Sequence, residues 1–101
     1  METKEFQQKC AKIVKDLDEK YNVNRNPHLG FAQFIEEVGE LAKEINKPKI
    51  RNKEIDSENL KGEFADVFLQ LYALADILGV NVEDAVNFKS KILEERHGLK
   101  F

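Results

Sequence analysis

Apolar residues recur along this chain at steps of three and four, the period of a helix face, and nowhere alternate as a half-buried strand would. A first stripe, Phe6, Cys10, Ile13, Val14 and Leu17, predicts a helix over about Thr3–Tyr21. The Asn-rich stretch "NVNRNPHLG" then breaks the pattern, with Pro27 close to the next helix start. A second helix is expected over about Leu29–Ile45, its stripe running Phe31, Phe34, Ile35, Val38, Leu41, Ala42 and Ile45. The segment "NKPKIRNKEID" reads as a basic, polar linker interrupted by Pro48. Ser57 is a suitable N-cap for a third helix reaching Leu78, with Gly79 as its stop. Asn81 caps a fourth, over about Val82–Arg96, with Asp84 three residues on as in a capping box and Gly98 at its end. The pattern predicts an all-α, four-helix bundle-like architecture, residues 1–101 forming one domain.

Charges interrupt this pattern where a core would not tolerate them alone. On the third helix Leu60, Phe64, Val67, Leu71 and Leu74 define the stripe, and Glu63 falls inside it, with Asp66 and Gln70 on the same side. On the second, "FIEEVGELAKEI" packs Glu36, Glu37, Glu40 and Glu44 into nine residues. Glu37 lies at the edge of the stripe, Glu40 one turn on, and Glu36 on the far flank. On the fourth, Lys89 and Arg96 project from a face made by Val82, Ala85, Val86, Ile92 and Leu93. An unpaired buried charge costs several kcal/mol or neutralises itself, so these groups require partners.

Residues three apart on a helix are neighbours, so Glu37 with Glu40, and Glu63 with Asp66, form two carboxylate pairs. Antiparallel packing of helices two and three through their stripes would turn the pairs toward each other. Four converging carboxylates repel unless a cation lies among them. An all-oxygen donor set suits the hard cations Mg2+ and Mn2+.

Composition narrows the function. A net charge of -3 gives no basic surface for nucleic acid. One cysteine, Cys10, allows neither an internal disulfide nor a thiolate metal site, and its place in the first stripe suits a small core residue. "METKEFQQKC" has no apolar signal core, and the most apolar run, Val67–Val80, is too short to span a bilayer. A cytoplasmic protein with neither membrane nor nucleic acid as partner is expected. There is no Gly-rich phosphate loop, so phosphate binding would fall to metals and side chains.

"EEVGE" (Glu36, Glu37, Glu40) followed by "EFAD" (Glu63, Asp66) resembles the EExxE…ExxD signature of the MazG-type all-α nucleoside triphosphate pyrophosphohydrolases. The likeness extends through "GEFADVFLQLYALADILGVNVEDAV" and covers about residues 21–97. It implies hydrolysis of (d)NTPs between the α and β phosphates, to (d)NMP and pyrophosphate, as housecleaning of non-canonical or excess nucleotides. It implies Mg2+, with Mn2+ as a substitute, held by Glu37, Glu40, Glu63 and Asp66, with Glu36 binding a further metal or orienting the attacking water. Lys89 and Arg96 match bases that contact substrate phosphates, while Leu93 stands where the family often has Asn. Tyr21 and Gln70 are candidate base or pocket contacts. The resemblance also implies a homodimer or homotetramer whose subunits complete each other's pocket.

Two other readings compete. A carboxylate-bridged metal-binding bundle for redox work would want Glu-x-x-His, and neither His28 nor His97 stands in that pattern. A non-catalytic helical interaction module would carry its acids on a solvated face, which Glu63 within an apolar stripe argues against.

Overall fold

The computed structural model describes residues 2–101, and among them finds four α-helices and no strand. They are α1 (Thr3–Lys20), α2 (Pro27–Ile45), α3 (Ser57–Ile77) and α4 (Val82–His97). The expected order holds, and the differences lie at the ends. Pro27 is the first helical residue of α2, a position where its missing N–H is no loss, and Asn26 caps it by accepting from the Leu29 amide at 2.9 Å. The third helix is capped by Asp56 and not by Ser57, because the Asp56 carboxylate accepts from the Glu58 and Asn59 amides. Asn81 caps α4 by accepting from the Asp84 amide, and Gly98 ends it at φ 64°, a left-handed conformation glycine adopts without strain. The basic linker contains one π-type turn, Lys47–Arg51, closed by Asn52 at φ 51°.

α3 is the central element, packed on one side by α1 and on the other by α2. Cys10 and Val14 of α1 and Tyr72, Ala73 and Ala75 of α3 are the buried apolar residues. Tyr72 takes the Phe6 ring edge-on, centroids 5.5 Å apart. α4 leaves α3 at 90° and otherwise meets α1. Buried Gln7 of α1 braces this elbow, donating to the Val80 carbonyl and accepting from the Val82 amide, both at 2.8 Å.

The four helices therefore do not close a bundle within one chain. The accessible surface is 7877 Å² for 11.7 kDa, about 2,000 Å² more than a monomeric protein of that mass exposes. The radius of gyration is 16.4 Å, against about 13 Å for a compact chain of this length.

The excess includes a stripe that the periodicity assigned to the α2–α3 contact. Phe31, Ile35, Val38 and Ile45 of α2 are 37–55% exposed, and Phe64 and Phe68 of α3 are exposed beside them. The residues of α2 that turn inward are Leu29, Gly30, Gln33, Phe34, Glu37, Leu41 and Glu44, of which only Phe34 and Leu41 belong to the stripe. Packing through the whole stripe is corrected to packing through part of it, Phe34 and Leu41, together with a polar edge, because hydrogen bonds to Gln33 and Glu44 hold that edge inward. No single helix among the described residues is long and apolar enough to cross a membrane.

Candidate metal centre

The seam between α2 and α3 brings three predicted acids together. One carboxylate oxygen from each of Glu37, Glu63 and Asp66 can be chosen so that all lie within 4.8 Å of one another. Glu37 comes from α2, Glu63 and Asp66 from consecutive turns of α3, so the cluster exists only when the helices run antiparallel in this register. Glu37 and Glu63 are half-buried and Asp66 is exposed, leaving the cluster open on one side. Glu40 is one turn along α2 and shares with Glu63 the wall of an adjoining recess of ≈ 280 Å³. Glu36 is exposed on the flank.

Electrostatics mark the cluster as unfavourable by itself. Burial raises the Glu37 carboxyl above its ordinary value, and Asp66, Glu63, Glu40 and Glu36, in falling order, raise it further. Every charge acting on it is an acid. A divalent cation meets the need directly. Oxygens on opposite sides of an Mg2+ ion lie about 4 Å apart, within side-chain reach of the present separation. The donor set is oxygen only, without His or Cys, and fits a hard ion.

Lys89 and Arg96 are on the exposed side of α4, beyond the 90° elbow, and neither acts on Glu37. No ion pair among the described residues joins them to Glu37, Glu40, Glu63 or Asp66. Tyr21 is the C-cap of α1, 66% exposed, with the Lys20 ammonium 5.6 Å from its ring centroid. Gln70 lies in the seam, its carbonyl oxygen accepting from Arg25 at 3.1 Å. His28 and His97 are exposed, and Cys10 is buried in the core. A groove of ≈ 530 Å³ between α1 and α3 is lined by none of the predicted site residues.

Two residues at this seam carry no periodic signal of their role. Arg25, in the α1–α2 loop, bonds to three helices at once: Asp18 of α1, Gln33 of α2 and Gln70 of α3. Glu44 reads as one more solvated glutamate, yet it is the most buried side chain, 1% exposed. Lys47, Asn59 and the Asp56 amide all donate to it. Those bonds hold its carboxyl below the ordinary value, the Lys47 bond most strongly. The three-residue Glu44–Lys47 spacing is the only sequence signal for this ion pair.

Compared with curated proteins and with solved structures, the chain finds no match. Compared with protein families, residues 25–101 match the MazG nucleotide pyrophosphohydrolase domain, with all five predicted acids inside the matched stretch.

Proposed function

Since the chain belongs to the MazG nucleotide pyrophosphohydrolase family, we propose that it hydrolyses (d)NTPs between the α and β phosphates, releasing (d)NMP and pyrophosphate. One observation carries this reading: the convergence of Glu37, Glu63 and Asp66 across two helices. Glu37, Glu63 and Asp66, with Glu40 beside them, would hold Mg2+, for which Mn2+ can substitute. The bound ion would supply neutralisation of triphosphate charge and acidification of a water. Glu36, exposed beside Glu37 in the chain, would accept a proton from the attacking water or bind a further ion. The half-open cluster keeps its protein ligands on one side and leaves the other for substrate phosphates and solvent.

The pyrophosphate leaving group requires positive charge beyond Lys43 and Lys47, which line the recess beside Glu40 and Glu63. Lys89 and Arg96 would reach it from α4 of a second copy. Two features support a homodimer or homotetramer: the exposed Phe31, Ile35, Val38, Phe64 and Phe68 surface, and an excess area of about 2,000 Å², the size of a stable interface. A single MazG-like domain over residues 1–101, acting in the cytoplasm on non-canonical or excess nucleotides, completes the proposal. Tyr21 and Gln70 remain its candidate base or pocket contacts.

The test is a panel of canonical and modified (d)NTPs with Mg2+, followed by pyrophosphate release. Activity on at least one member, abolished by Glu63→Gln and Asp66→Asn in proteins with unchanged circular dichroism, supports the proposal. Orthophosphate in place of pyrophosphate overturns the choice of bond, and no release from any member overturns the reaction.

A further inference from the structure

The acids occupy the middle of a longer ladder along the α2–α3 seam. Taken in order, its rungs pair Gln33 with Gln70, Glu37 with Asp66, Glu40 with Glu63, and Glu44 with Asn59. The two residue numbers of each rung have the same sum, the mark of one unbroken antiparallel register. The inner rungs are carboxylates, which push the helices apart. The outer rungs are bonded.

At one end Arg25 Nη2 donates to Gln33 at 2.6 Å and Nη1 to Gln70 at 3.1 Å. Asp18 holds the guanidinium from behind, accepting from Nε at 2.6 Å and Nη2 at 3.1 Å. Arg25 and Asp18 are only 10% and 15% exposed, so this is a shielded, directional node. At the other end buried Glu44 takes Asn59, the Asp56 amide and Lys47 Nζ at 2.8 Å. Apolar packing tolerates sliding of one helix along another, whereas a forked guanidinium and a fully bonded carboxylate each fit one register. Each clamp sits one turn beyond a carboxylate rung.

We propose that Arg25 and Glu44, through Gln33, Gln70 and Asn59, are positioning residues that hold the carboxylates at cation-binding separation before the cation arrives. This inference rests on the metal reading of the cluster given above. It assigns function to Arg25, Glu44 and Asn59, which touch neither cation nor substrate, and through Asp18 it ties the site to a helix preceding the family match. Metal ligands held by such an outer layer lose about 10- to 100-fold in affinity when it is removed.

The probe is Mn2+ alone, titrated into the full chain and followed by the electron paramagnetic resonance of the free ion. Arg25→Met and Asn59→Leu remove one clamp each with little change in bulk. Each is expected to weaken Mn2+ binding about tenfold or more. Arg25→Lys, which keeps charge and one donor head, should recover part of the loss. At saturating Mn2+ the pyrophosphohydrolase kcat of each variant should return toward wild type, so that the defect lies in the metal requirement. Val14→Ala, in the core away from the seam, serves as the control: it lowers thermal stability and should leave Mn2+ affinity unchanged. If Arg25→Met does not fold, Asn59→Leu and Gln33→Leu decide the matter. Wild-type Mn2+ affinity in the folded clamp variants, or an equal loss in Val14→Ala, overturns the positioning role while leaving the metal centre intact. Absence of Mn2+ binding by the wild type overturns the metal centre itself, and this inference with it.

Discussion

Glu37→Gln should stabilise the metal-free protein while abolishing its response to metal. Two unit charges at the 4.8 Å limit of the cluster repel by about 1 kcal/mol in bulk water, and by about 3.5 kcal/mol at an effective dielectric of about 20. Glu37 faces two such neighbours, Glu63 and Asp66. The cluster is half-open and Asp66 is exposed, so solvent screening keeps each repulsion near the lower figure. Removing the charge while keeping the side-chain shape should therefore stabilise the metal-free fold by roughly 1–2 kcal/mol. For a domain of this size each kcal/mol raises Tm by about 4–8 °C.

The pH dependence follows from the direction of the Glu37 shift. Its folded pKa is raised, so the folded chain holds that proton more tightly than the unfolded chain. The resulting stability is complete below the unfolded value, near 4.5, and is lost as pH rises through the higher folded value. The advantage of Glu37→Gln should be small in acid and grow toward neutral pH. Thermal unfolding by circular dichroism in a chelator, at one protein concentration, measures it. Mg2+ or Mn2+ should then raise the wild-type Tm by mass action and leave the Glu37→Gln Tm unchanged. A variant no more stable than wild type in chelator at neutral pH would show that the carboxylates do not crowd one another, and the case for a cation among them would fail.

Mixing Glu63→Gln with the Lys89→Ala/Arg96→Ala double variant should restore about a quarter of wild-type activity after random reassortment of dimers, because half the pairs carry one intact composite site. Mixtures as inactive as their components would place both functions in one chain. Glu44 titrates in the opposite sense to Glu37: its folded pKa is lowered, so its contribution is present above the unfolded value near 4.5 and disappears as pH falls through the folded one. Wild type should accordingly lose stability in acid more steeply than Glu44→Gln, measured as Tm against pH. Gln7→Leu strands the Val80 carbonyl and Val82 amide and should cost about 1–3 kcal/mol in denaturant unfolding. It should also increase hydrogen exchange at the α3–α4 elbow.

The sequence by itself determined the helices and the identity of the acids. Stripes at helical spacing, Pro27 at a helix start, and Gly79 and Gly98 at positive φ are local instructions, and the chain obeys them within a few residues. Glu63 was legible because a charge inside an apolar stripe is a contradiction that only a partner resolves. Its spacing to Asp66 placed both on one face. Tertiary structure decided which face of each helix turned inward. The α2 stripe looked like core, but periodicity records only that a face is apolar, not what covers it. α3 already had α1 on one side, and the bonds to Gln33 and Glu44 held α2 with its polar edge, Phe34 and Leu41 turned inward and the rest of the stripe left uncovered. Arg25 and Glu44 were invisible in advance for a related reason: their partners come from three helices and a turn, and no local spacing encodes a bond made across a fold. The direction of α4 was beyond reading too, since its 90° departure depends on buried Gln7 at the far end of the chain gripping both sides of the elbow.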